Sequence, residues 1–267
     1  MGAPPGLNPR LTRNAIARQV SPTAWFLEIP PGPAGEYRLS QLDDYSNLSR
    51  RGFPWRAPLR LRLQARVSQA ALPGTWGFGF WNEPFGLALG FGGGARRLPA
   101  LPNAAWFFFA SPENYLSLRD DLPAHGALAA TFQSRNIPTP LLAFFTPAAL
   151  LLALPPAARL LRQLGRRFIH QSASSLDVDV TAWHAYEIDW SLQQVSFYLD
   201  EQLVFQTGVV PQGPLGLVLW IDNQYASLPS DGRLRYGTLA YPESAWLEIE
   251  QLALKSINRP TGNKPFM

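Results

Sequence analysis

Residues 183–207, WHAYEIDWSLQQVSFYLDEQLVFQT, decide the fold. His184, Tyr186, Ile188 and Trp190 alternate with Ala185, Glu187 and Asp189, the period of a strand with one buried face. The alternation resumes after Ser191 to Gln194 through Val195, Phe197 and Leu199, breaks at residues 200–202, and returns at Leu203 and Phe205. The pattern predicts a strand, a tight connection and a hairpin looped at Asp200 to Gln202. His184, on the apolar side, is expected to be a core residue with satisfied hydrogen bonds.

Other segments repeat the signal. Leu59, Leu61, Leu63, Ala65 and Val67 alternate with Arg60, Arg62, Gln64, Arg66 and Ser68, which predicts a strand with a core side and a basic, solvated side. In Gly74 to Gly86, GTWGFGFWNEPFG, one face carries Trp76, Phe78, Phe80 and Asn82, and the other Gly77, Gly79, Trp81 and Glu83. The two glycines leave room for a ligand or for close packing by another segment. Further strands are expected at Trp25 to Ile29, Ala104 to Ala110 (AAWFFFA), Tyr115 to Arg119, Leu128 to Gln133, Gly213 to Tyr225 and Trp246 to Leu254. The organisation is an N-terminal arm (1–23), one β domain (24–254) with an insertion (137–169), and a polar tail (255–267).

Composition narrows the function. Hydrophobic residues make up 46% of the 267 positions, and 26 prolines with 21 glycines suit many short strands and turns. Without cysteine no disulfide or thiolate metal site exists, and three histidines argue against a metal centre, so no cofactor is expected. The net charge of +4 is carried almost wholly by arginine, scattered without a nucleic-acid module, so no nucleic-acid partner is expected. The first twenty residues lack an apolar core and contain Arg10, Arg13 and Arg18; the expectation is a cytoplasmic protein, with peripheral membrane attachment as an option. The glycine run at 90–94 lacks the spacing of a phosphate loop and reads as a plain loop.

The insertion breaks the β pattern. No charge occurs between Ile137 and Ala158, but prolines at 138, 140, 147, 155 and 156 argue against a spanning helix. After Pro155-Pro156 a helix is predicted with Arg159, Arg162 and Arg166 on one side and Leu160, Leu161, Leu164 and Phe168 on the other. With Leu151 and Leu154 these residues form a lid, a membrane contact or a core-packed helix.

The order of parts resembles the C-terminal half of concanavalin A-like sandwiches, especially family 16 glycoside hydrolases and laminarinases. The resemblance rests on WHAYEIDW leading to VSFYLDEQLV and then to strands at 214–223 and 246–254, and extends more weakly to GTWGFGFWNEPF. It implies an all-β, two-sheet antiparallel jelly-roll sandwich with a helical hydrophobic insertion. It also implies a catalytic strand carrying Glu-x-Asp-x-Glu, and the strand in that place is AAWFFFA, which has no carboxylate. Glycoside hydrolysis of the family type is therefore expected to be absent.

Two readings of function remain. In the first, Trp81, Trp106 and Trp220, with Asn223 and Tyr225, line an aromatic cleft that binds a small lipophilic or carbohydrate ligand. In the second, Asp222 or Glu83, each following a Trp on its strand face, acts as a general acid on a hydrophobic substrate in a cyclase, isomerase, hydratase or lyase.

Overall fold

The computed structural model describes residues 6–12, 14–84, 97, 100–135 and 154–257. Two antiparallel sheets of seven strands face each other. In the first, the order is β1 (Asn8–Leu11), β4 (Leu39–Asp43), β13 (Gly216–Asp222), β6 (Thr75–Trp81), β7 (Ala104–Ala110), β8 (Gly126–Ser134) and β9 (Ile169–Ser175). The second runs β12 (Gln202–Thr207), β11 (Val195–Leu199), β10 (His184–Trp190), β5 (Leu59–Val67), β16 (Ala245–Ser256), β3 (Ala24–Ile29) and β2 (Ile16–Ser21). A separate hairpin joins β14 (Gln224–Ser227) to β15 (Arg235–Thr238). The architecture is the two-sheet antiparallel jelly-roll sandwich expected from the resemblance.

The core lies between the sheets. Leu59, Leu61, Leu63, Ala65 and Val67 of β5 meet Trp76, Phe78 and Phe80 of β6 and Ala105, Phe107 and Phe109 of β7 within one apolar cluster. Tyr186 of β10 packs edge-on against Phe78 and Phe107, with ring centroids 5.1 and 5.0 Å apart. The outer side of β5 is solvated and paired: Arg60 with Asp189 and Glu187, Arg62 with Glu201, and Arg66 with Glu248 at 2.6 Å. Such half-exposed pairs each contribute little to stability.

The central stretch folds as the alternation predicts. Its hairpin loop is shorter than expected, because Gln202 already pairs with Leu199. Asp200 and Glu201 both have positive φ (49° and 67°), the signature of a two-residue turn that matches strand twist. His184 has the expected hydrogen-bond partners, Asp200 Oδ2 at Nδ1 (2.6 Å) and the carbonyl of Asp179 at Nε2 (3.0 Å), but lies half-buried at the strand's start and not in the core.

Several boundaries differ from the sequence reading. The segment expected to be an arm contributes β1 and β2, which pair with β4 and β3, and the Ser40 hydroxyl donates to the Ile16 carbonyl. Short edge strands with many outward positions carry too little periodicity to be seen locally. Tyr115 to Arg119 is no strand; only Tyr115 makes an isolated bridge, to Ser227. The strand expected from Gly213 to Tyr225 divides at Asn223, whose buried side chain accepts from Arg38 N and donates to the carbonyls of Glu36 and Leu239. β16 runs to Ser256, so the tail starts later than Lys255, and residues 258–267 lie outside the described residues.

The helix α1 (Pro155–Phe168) exists where predicted and leads directly into β9. Among the described residues no helix is long and apolar enough to cross a membrane. Leu151, the glycine run at 90–94 and most of the apolar part of the insertion lie outside the described residues.

Candidate ligand-binding face

The face of the β6–β7 sheet turned away from the core carries a second aromatic cluster. Strand alternation puts Gly77, Gly79 and Trp81 of β6, Trp106 and Phe108 of β7, Leu128 of β8, and Val218 and Trp220 of β13 on this side, joined by Tyr45 and Phe53. Trp106 is central: its ring lies 5.8 Å from Trp81, 5.7 Å from Trp220, 5.3 Å from Phe108 and 6.1 Å from Phe132. Trp81 and Trp106 are half-buried and Trp220 is buried. The three tryptophans expected to share a face do share it.

The glycines of β6 make this arrangement possible. A Cβ on Gly77 would strike the Trp220 ring at 2.7 Å, and one on Gly79 would strike Trp106 Cα at 2.5 Å. Their space is thus filled by neighbouring tryptophans, so close packing, one of the two expected uses, is the one the geometry displays. The Trp81 indole N–H donates to Tyr45 Oη at 2.5 Å, and Gln41 Nε2 donates to Asp43 Oδ2 at 2.9 Å and to Tyr45 Oη at 3.4 Å. These bonds satisfy buried polar groups and fix the rings.

The two acids are not brought together. Asp222 pairs with Thr75 at one end of β6; Glu83 follows Trp81, which pairs with Gly216 at the other end. At about 3.3 Å per residue they are separated by roughly 20 Å or more, far beyond the ~5–10 Å of a glycosidase carboxyl pair. Glu83 is ion-paired to Arg10 Nη1 (2.8 Å) and to Arg97, while Arg50 binds its carbonyl. It ties β1 to the loop after β6.

Asp222 is buried under Trp220. Its Oδ1 accepts from Thr75 Oγ1 (2.7 Å), Thr75 N (3.3 Å) and Gln224 N (3.2 Å), and Thr75 Oγ1 in turn accepts from Trp220 Nε1 (3.0 Å). Burial pushes the carboxyl up to about 7, against the pull of these donors and of Tyr37. Asn223 is wholly engaged with backbone. Tyr225 belongs to the β14–β15 hairpin and packs on Gly237, whose added Cβ would meet it at 2.9 Å. Asn223 and Tyr225 therefore hold the end of the sheet rather than extend the aromatic face.

Among the described residues the face is shallow. A pocket of ≈ 30 Å³ lies between Trp106, Phe108, Leu116, Phe132 and Gln171, room for little more than a water or two. A hollow of ≈ 330 Å³ sits apart, at the sandwich rim between Arg56, Gln133, Trp190 and Gln212. No cluster of His, Asp or Glu among the described residues is placed to hold a metal ion. The strand between β6 and β8 carries Trp106 and Phe108 outward and Ala105, Phe107 and Phe109 inward, with no acid in either register.

No family model and no curated protein matches the chain. Solved structures do. A legume lectin-like domain from Entamoeba histolytica is 8% identical, with 94% of this chain and 91% of that one covered and a TM-score of 0.47. A Bacteroides ovatus mixed-linkage glucan glycoside hydrolase of family 16, in complex with product, is 6% identical over 90% and 85%, with a TM-score of 0.47. The catalytic domain of an endo-1,3-beta-glucanase (laminarinase) from Thermotoga petrophila is 10% identical over 92% and 82%, at 0.42. The fold itself, an antiparallel two-sheet jelly-roll sandwich, is read from the strand order of this chain. At these identities the likeness concerns the fold and leaves activity open.

Proposed function

We propose that the chain is a non-hydrolytic binding module that holds a glycan-like ligand against the face built on Trp106. The carrying observation is β7, which presents Trp106 and Phe108 on that face and has no carboxylate of its own. A half-exposed indole fixed among Trp81, Trp220 and Phe132 is a preorganised surface for the C–H side of a sugar ring. Shallowness supports a glycan over a lipophilic guest. An enclosed small-molecule site needs about 300 Å³ or more, and the pocket beside Trp106 offers ≈ 30 Å³.

The alternative, general-acid chemistry on a hydrophobic substrate, draws on one observation, the Asp222 carboxyl raised to about 7. Its burial under Trp220 and its bonds to Thr75 and Gln224 favour a structural role, as the two arginines do for Glu83.

Titration calorimetry against a panel of soluble β-glucan oligosaccharides, with reducing-sugar release followed in parallel, tests the proposal. Binding without release is expected, with Trp106→Ala weakening it about tenfold and Trp106→Phe retaining most of it. Release of reducing sugar, or binding unchanged by Trp106→Ala, would overturn the reading.

A further inference from the structure

The helix α1 is seated on two of its arginines. Arg162 faces the body of the protein: it is 4% exposed, donating to Asp120 Oδ1 (2.7 Å) and Oδ2 (3.2 Å) and to the Ser117 carbonyl (3.1 Å). Arg162 also lies over the Tyr115 ring at 5.7 Å. Arg166 reinforces the same seat through Asp120 (2.8 Å) and the Leu118 carbonyl (2.5 Å). With these arginines pinned, the helix cannot roll its leucines inward without stranding a buried guanidinium.

The result is an apolar ridge turned to solvent. Leu160, Leu164 and Phe168, spaced i, i+4 and i+8, are 56%, 38% and 41% exposed, and Leu154 extends the ridge past the first turn at 57%. Arg159 and Arg167, exposed on the adjacent row, have no acidic partner among the described residues, and the helix contains no acid of its own. Gly232 packs on Pro155 and Arg159, so the turn bearing Arg233, 4.0 Å from Asp231, and the start of β15 at exposed Arg235 border the Arg159 side.

We propose that this ridge is a docking face for an anionic phospholipid surface, with α1 lying in the plane of the interface. Apolar side chains along one line with guanidinium groups beside them are what a headgroup layer accepts: the ridge enters the acyl boundary and the arginines meet phosphates. Charge selects this occupant over a second copy, since a two-fold contact would set the same unpaired arginine rows against each other. The inference concerns a surface distinct from the Trp106 face and stands or falls independently of it.

The test is co-sedimentation of the full chain with phosphatidylcholine vesicles and with vesicles containing phosphatidylserine, at low and high salt. The intact protein should pellet with the anionic vesicles, lose most of that binding at high salt, and pellet at least tenfold less with neutral ones. Leu160→Gln/Leu164→Gln/Phe168→Gln changes only exposed positions and should abolish pelleting while leaving the thermal transition in place. Arg159→Gln/Arg167→Gln should cut binding by about tenfold. Equal binding to neutral vesicles, no pelleting with any vesicle, or pelleting unaffected by the triple variant would overturn the proposal. So would concentration-dependent dimerisation that the triple variant removes, which would assign the ridge to a second copy.

Discussion

Replacing Asp222 by Asn should stabilise the protein at neutral to alkaline pH and leave it almost unchanged in mild acid. Three donors to this carboxyl, Thr75 Oγ1, Thr75 N and Gln224 N, converge on Oδ1, where an Asn carbonyl oxygen can receive them in the same rotamer, and the Tyr37 hydroxyl that also bonds the carboxyl can accept from the Asn amide instead. What changes is charge. Burial raises the carboxyl from its ordinary 3.8 to about 7, so the native state keeps a proton that the unfolded chain releases. In that window the unfolded state binds fewer protons, and native stability falls as pH rises, by about 1.4 kcal/mol per pH unit. Across the whole window the loss is on the order of 4 kcal/mol, a large share of the ~5–15 kcal/mol that typically holds a domain together. An Asn carries no such loss. Urea unfolding followed by tryptophan fluorescence should show the two proteins level near pH ~4 and the variant ahead by up to ~4 kcal/mol near pH ~8. Asp44, which burial raises to about 6, adds a slope of the same sign that cancels in the comparison. Parallel pH profiles, or a variant less stable than the parent near pH ~8, would refute the reasoning, because the carboxylate would then be favourably solvated where it sits.

Two further outcomes test the packing. Gly79→Ala should cost about 3 kcal/mol or prevent folding, because its Cβ would fall 2.5 Å from Trp106 Cα on a paired strand and φ there is +151°; a urea midpoint within error of the parent would contradict this. Asp120 is held well below the usual carboxylate range, first by the hydrogen bond from Arg162 and then by those from Arg166 and Tyr115. That stability is fully present above the ordinary carboxylate value and declines as pH falls below it, so Asp120→Asn should cost about 1–2 kcal/mol near pH ~7, after discount for the exposed carboxylate, and clearly less near pH ~2. Circular dichroism melts at both pH values check it.

How far the strands were legible follows from where the information lies. In β5 and β10 alternation is carried by the side chains themselves, and their inward sets, His184 apart, do form the core. Alternation gave Trp81 and Trp220 a side within their own strands, and strand pairing in the sheet is what brings them together with Trp106. Alternation failed for β1 and β2, which are held by pairing with segments elsewhere in the chain. It failed again at Asn223, where hydrogen bonds to Arg38, Glu36 and Leu239 end one strand and start a hairpin. A polar residue with three backbone partners looks, in one dimension, like any other polar residue.

The helix shows the division most clearly. Pro155-Pro156 and the leucine spacing establish locally that a helix forms and that it has two unlike faces. Which face turns inward is decided by Asp120, 42 residues before Arg162, and by the carbonyls of Ser117 and Leu118. Likewise, Glu83 is an acid beside an aromatic strand until Arg10, 73 residues away, neutralises it. The sequence by itself determined the sandwich and its core sides, because repeating contacts reward a repeating pattern. The fate of each charged group was left to the tertiary structure, because a charge is stabilised by one particular partner at one distance, and no periodicity encodes where that partner arrives.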